Sequence, residues 1–297
     1  MKENGVMRIA AALGIAIGLV LPVDTEHDVS AQPLSGEREF VVFDATSYRN
    51  KPDLVSYGIS PIMLLYAGQF GSDWFKDQER LPNRSSVEEI AKGLNVTGKP
   101  VVLDIEHWPL NGGQERVRGS VMKYIQVLKW FRETAPSVPV GYYGAPPLRD
   151  YWRAVKPPQS GEHRAWLEEN DRIAALADAV DMLFPSLYTF YADQEGWKTY
   201  AKAQIQEARR LGKGKPVFVF LWPQYHESNR QLGGRYISSE FWTLQLQTAR
   251  ELADGLIIWS GREEWNEEAP WWEATKAFMR TLRSVSRSVN PAMPNGR

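Results

Sequence analysis

Seven short apolar runs recur along the chain, at 40–44, 61–67, 100–106, 138–144, 181–188, 216–222 and 254–260. Each is rich in Val, Ile, Leu, Phe and Tyr and is almost continuously apolar rather than alternating. Strands buried on both faces have this pattern, because neither side of such a sheet meets water. Helical patterns lie between most of the runs. Residues 86–94 follow Ser85-Ser86-Val87-Glu88-Glu89, which is close to a capping box ahead of an apolar stripe. In 118–135, Val121, Tyr124, Ile125, Leu128 and Phe131 fall on one helical face. Residues 163–179, 200–211, 238–253 and 273–285 repeat the pattern. Lys99-Pro100 and Lys215-Pro216 stop a helix just ahead of a strand. Strand–helix alternation of this kind predicts an α/β chain with a parallel sheet, and this many units predicts a single (β/α) TIM-like barrel.

The two ends break the pattern. Lys2 and Arg8 precede an unbroken apolar run from Ile9 to Leu21. That is too short for a membrane span but suits a secretory signal, with Val29 and Ala31 as the small residues before a cut after Ala31. The expected organisation is a signal peptide over 1–31, a barrel over 32–283 and a polar, flexible tail over 284–297. The expected location is secreted or periplasmic, with no membrane span after cleavage. The chain has no Cys, so the fold rests on core packing without disulfides.

Charge and composition remove several function classes. There are 35 Lys+Arg against 36 Asp+Glu, a net charge of -1, which lacks the basic excess that neutralises phosphates in a nucleic-acid binder. Only 4 His are present, with no H-E-x-x-H and no Cys cluster, so no metal site is expected. No P-loop, G-x-G-x-x-G or G-x-S-x-G occurs, so neither a nucleotide cofactor nor a serine nucleophile is expected, and no cofactor of any kind is implied. The 12 Trp equal the 12 Tyr and exceed the 11 Phe, and Trp and Tyr pair an apolar face with a polar edge.

In a parallel barrel the chemistry collects at the C-terminal strand ends. Those ends carry Asp44, the run Asp104-Ile105-Glu106-His107-Trp108, Tyr143, Tyr188, Trp222, Tyr225 and Trp259. Carboxylates with flat aromatic rings are what a sugar-processing site needs. Asp104 and Glu106 are two apart on a strand, so they point to the same side with Cα atoms about 6.5–7 Å apart. Two carboxylates in one apolar hollow cannot both ionise freely, so one is driven towards its protonated form and can act as an acid near neutrality. The plainer alternative has Asp104 capping a loop and Glu106 pairing with a neighbouring Arg. His107 alternates away from the acids, towards the helix layer or a loop.

The residues in order resemble the hyaluronidases of animal and venom origin. Asp104-Ile105-Glu106-His107-Trp108-Pro109 is similar to that family's Asp-Trp-Glu run, and Gly141-Tyr142-Tyr143-Gly144-Ala145-Pro146 to its Gly-x-Tyr-Gly-x-Pro run. Phe184-Pro185-Ser186-Leu187-Tyr188, Pro216-Val217-Phe218-Val219-Phe220 and Gly255-Leu256-Ile257-Ile258-Trp259 resemble three further runs. The resemblance implies a distorted barrel of about seven strands and a glycosidase of N-acetylhexosamine-containing glycans. It implies a retaining mechanism in which the substrate's own acetamido group is the nucleophile. Glu106 would then be general acid and base, and Asp104 would orient and stabilise the acetamide. Tyr188 would bond its carbonyl, Tyr143 would hold sugar and acid, and Trp259 would wall the methyl group. Trp222, Tyr225, Trp108 and Asp44 complete the candidate substrate contacts for an oligo- or polysaccharide. The chain departs from the family in lacking disulfides, in His107 and Pro109-Leu110 after the acids, and in Ala145 where an aromatic usually stands. A cleft for a polyanion such as hyaluronan should be basic, which Arg49, Arg149 or Arg153 could supply locally. The reading from another class is a non-catalytic carbohydrate-binding barrel.

Overall fold

In the computed structural model, which describes residues 39–95 and 99–289 with side chains to residue 284, the seven apolar runs form one ring. Five of them become regular strands: β1 (Val41–Ala45), β4 (Val101–Asp104), β5 (Val140–Tyr142), β6 (Phe218–Leu221) and β7 (Gly255–Trp259). The run at 61–67 divides into β2 (Ser60–Pro61), parallel to β1, and β3 (Met63–Tyr66), parallel to β4. Pro61 has no N–H with which to continue the ladder to β1, so the strand changes partner there. The run at 181–188 makes isolated parallel bridges instead of a strand, Tyr143 to Phe184 on one side and Leu183 to Val217 and Ser186 to Phe220 on the other. Pro185 removes a donor from its centre. With β6 on β7 and β7 on β1, every pairing within the ring is parallel and the ring closes as a distorted α/β barrel.

Helices α1 (Arg84–Leu94), α2 (Gln114–Thr134), α3 (Gly161–Arg172), α4 (Ala174–Ala179), α5 (Gln194–Gly212), α6 (Ser239–Leu252) and α7 (Pro270–Val289) surround it. Ser160, Asp193 and Ser238 cap α3, α5 and α6 by accepting from the N–H three residues on. The capping box expected at 85–89 does not form. The first helix starts at Arg84, after Asn83, whose carbonyl takes the N–H groups of Ser86 and Val87. The helix expected over 163–179 breaks at Ile173, because the buried Asn170 side chain turns inward to accept from Leu148 N–H and donate to Trp166 C=O. The last helix runs to Val289, past Ser284, where the polar tail was expected to begin; Phe278, Met279 and Leu282 keep its stripe on the core. The signal expected over 1–31 lies outside the described residues.

Side-chain parity sorts the barrel into two cores. Val102, Phe184, Phe218, Phe220, Phe43 and Ile257 fill the interior. Val101, Leu103, Val140, Leu183, Val217, Val219, Leu256 and Ile258 pack outward against the helices. The strands lie too close for side chains at two points: a Cβ on Gly141 would sit 2.3 Å from Met182 O, and one on Gly255 2.3 Å from Val41 O. At the N-terminal end, Asp181 and Asp254 each accept the first N–H of the neighbouring segment, from Val140 (2.9 Å) and Val217 (2.8 Å). With the lower rim tied in this way, the upper rim holds the open side chains.

Candidate active site

The alternation of β4 carries past its last paired residue. Val102 fills the barrel interior, Asp104 is half-buried above it and Glu106 is exposed at the rim, while Ile105 packs outward. Asp104 and Glu106 line one cavity of about 260 Å³, near the lower end of small-molecule pockets. Its other walls are Leu64, Tyr143, Arg149, Tyr188, Phe220, Trp222, His226, Glu227 and Trp259. Burial pushes the Asp104 carboxyl up to about 7, and the Glu106 charge adds to the effect. The acid driven towards its protonated form is therefore the deeper of the two.

The aromatic walls are locked to one another. The Tyr143 and Ser186 hydroxyls are 3.0 Å apart, and the Tyr143 ring sits edge-on to Phe220 at 4.9 Å. Tyr188 lies 5.5 Å from Trp222 and 5.6 Å from Trp259, and the two indoles meet at 4.9 Å, nearly perpendicular. Their N–H groups are tied back, Trp222 to Gln224 Oε1 at 2.8 Å and Trp259 to the Tyr66 hydroxyl at 3.0 Å. Each ring face is thus held in one orientation towards the hollow. Burial raises the Tyr143 hydroxyl to about 12 and Tyr188 well above the usual phenol value, so both remain proton-bearing at working pH.

Glu106, Asp104, Tyr188, Tyr143, Trp259 and Trp222 are brought together as the sequence suggested. Three candidate contacts are not. Trp108 is buried in the helix layer, where its Nε1–H donates to Arg80 C=O at 3.1 Å and its ring meets Tyr124 at 4.9 Å. Strand geometry ends at Asp104, so the even-numbered parity that would point residue 108 into the barrel no longer applies. Asp44 turns to its own loop and accepts from Thr46 N–H (2.8 Å), the Thr46 hydroxyl (2.6 Å) and Lys51 Nζ (2.7 Å). This is the capping role set against catalysis for Asp104, found instead at Asp44. Tyr225 packs against the outer core, because the turn at Pro223-Gln224 shifts the phase and puts His226 at the cavity. His107 lies among Trp74, Phe75 and Trp108, away from the acids, and burial holds its proton affinity below the usual value.

Leu64, Phe220, His226 and Glu227 also line the cavity without standing out in the sequence, which marks Arg149 only as part of a local basic patch. Arg149, His226 and Glu227 lie on loops that follow strands, where position was the available signal, while Leu64 and Phe220 lie within β3 and β6. Residue type alone did not distinguish them from rim packing. Among the described residues, no group of three or more His, Asp or Glu is placed to hold a metal ion. No helix among them is long and apolar enough to cross a membrane.

No family model matches the chain, and no curated protein matches it. Solved structures do. Bee venom hyaluronidase superposes with a TM-score of 0.56 at 17% identity, covering 83% of this chain and 98% of that one. The same enzyme in complex with a hyaluronic acid tetramer gives 0.57 at 18%, covering 83% and 95%. The endo-beta-1,4-mannanase of Thermotoga petrophila gives 0.47 at 10%, covering 87% and 79%. At 17–18% identity the likeness to the two hyaluronidase structures establishes a shared fold, the distorted barrel described above.

Proposed function

We propose that this protein is an exported glycoside hydrolase of N-acetylhexosamine-containing glycans, hyaluronidase-like in its chemistry. The observation that carries the proposal is the pair Asp104, at the end of β4, and Glu106, two residues past it, both opening into a cavity walled by Tyr143, Tyr188, Trp222 and Trp259. Exposed at the rim, Glu106 is the general acid to the leaving oxygen and then the base for water. Asp104, a layer deeper, takes the acetamide N–H and balances the positive charge that develops as the acetamide oxygen attacks the anomeric carbon. The Asp104 carboxyl, raised to about 7 by burial and by the Glu106 charge, keeps a proton in the cavity into the neutral range. Tyr188 and Tyr143 offer hydroxyl donors to the acetamide and the sugar, and Trp259 an apolar face to its methyl group. Arg149 places a guanidinium at the same cavity, the local positive charge that an acidic glycan requires of an otherwise neutral chain.

The test is to incubate the purified mature protein with hyaluronan, chondroitin and chitin oligosaccharides and follow new reducing ends. Release of fragments with retained anomeric configuration is the expected result. Retention of one glycan without cleavage selects the carbohydrate-binding barrel instead.

A further inference from the structure

The His226 part of the cavity wall has a chemistry of its own. His226 follows β6 on a loop pinned at several points: its N–H donates to Thr189 C=O at 2.8 Å, and Asn229 Nδ2 donates to Phe190 C=O at 2.6 Å. The imidazole stacks on Phe190 with centroids 4.2 Å apart and planes at 18°, and it meets Trp222 edge-on at 5.8 Å. Its Nδ1 receives the backbone N–H of Ser228 at 3.1 Å, and the Ser228 hydroxyl lies 2.9 Å from the same atom. A backbone N–H can only donate, so Nδ1 is an acceptor and the ring proton resides on Nε2. Among the described residues Nε2 has no hydrogen-bond partner, and the residue lines the cavity. Burial and the nearby Arg149 charge hold the imidazole in its neutral form against the opposing pull of Glu227.

We propose that His226 is a specificity-determining contact, a neutral imidazole locked in one tautomer that donates its Nε2–H to an acceptor oxygen of the sugar on the Arg149 side of the cavity. This rests on the glycan reading above and adds to it: the acids read the bond to be broken, and His226 reads the substituent of the unit beside it. Stacking on Phe190 fixes the ring plane and Ser228 fixes the proton, so the donor is aimed before substrate arrives. A preorganised donor of this kind sacrifices little entropy on binding.

Two substitutions separate donation from packing. His226→Phe keeps the stack on Phe190 and loses the donor; His226→Gln loses the ring and keeps an N–H at similar reach. In the inactive Glu106→Gln background, calorimetry with hyaluronan and chitin tetrasaccharides should show His226→Phe binding about five- to tenfold more weakly. His226→Gln should bind within about twofold of the parent. The reverse order, or equal affinity for all three proteins, overturns the proposal. A parent that binds neither tetrasaccharide defeats the glycan reading itself. Independently of any sugar, nitrogen NMR of the free protein at pH 7 should report the Nε2–H tautomer at His226, and Ser228→Ala, which keeps the backbone N–H that sets it, should retain that form. A dominant Nδ1–H form or an imidazolium in the parent overturns the proposal.

Discussion

The Tyr124 hydroxyl, reaching in from α2, donates to Ile105 C=O at 2.9 Å and also lies 3.1 Å from Trp108 C=O. Those two carbonyls bracket Glu106, so a buried phenol in the helix layer holds the turn that presents the exposed carboxylate. Tyr124 is itself anchored, its own carbonyl accepting from the Tyr142 hydroxyl at 2.8 Å. Positioning of the acid therefore belongs to the packing behind the strand as much as to the strand.

Tyr124→Phe should accordingly act on both stability and turnover. Two buried carbonyls lose their partner, which costs about 1–3 kcal/mol in urea unfolding. The turn loosens, so kcat on the cleaved glycan should fall about tenfold with KM little changed. A loss confined to stability would show that the hydroxyl only holds the core.

Glu106→Gln and Asp104→Asn should each leave the circular dichroism spectrum unchanged and lower turnover by about 10²–10⁴, because each removes a group used in the transition state. Glycan binding should survive Glu106→Gln. Wild-type rates in both variants would show that neither carboxylate takes part in catalysis.

The raised Asp104 carboxyl gives the activity a sign with pH. Below about 7 the Asp104 carboxyl keeps a proton in the cavity; above it that proton is lost, so kcat/KM should fall as pH rises through 7. In Asp104→Asn this limb should disappear from whatever activity remains. A limb that persists unchanged in that variant would assign the ionisation to another group.

The same shift predicts a stability effect. A carboxyl whose folded value lies near 7 and whose unfolded value is about 3.9 favours the folded state below both and loses that contribution as pH rises through the folded value. Asp104→Asn removes the burden of a buried charge, so at pH 8 it should stabilise the fold by on the order of 1–2 kcal/mol, discounted for partial solvent access. At pH 4 the two proteins should melt together. Thermal scans at both values check this.

Trp108 and Trp259 should respond in opposite ways. Trp108→Ala opens a cavity in the helix layer and orphans Arg80 C=O, costing about 3–5 kcal/mol. Trp259→Ala removes a partly exposed ring from the cavity wall, so its main effect should be on KM. Denaturant midpoints and Michaelis parameters measured on both variants separate the two roles.

Period and spacing are local properties, and what depended on them was legible in the chain. The near-continuous apolar runs marked all seven barrel positions, and their alternation with helical stripes implied parallel closure. The two-residue step from Asp104 to Glu106 put both acids on one face, since strand parity needs no knowledge of the rest of the fold. Features that depended on what the chain meets in space were not legible. Tyr124 holds the turn that ends strand parity beyond Glu106, with Trp108 in the helix layer, Lys51 and Thr46 claim Asp44, and Pro61 hands one strand to two neighbours. His226 and Arg149 reach the cavity only because loops far apart in sequence converge on its rim, where partners and burial decide which polar side chains remain open to a ligand.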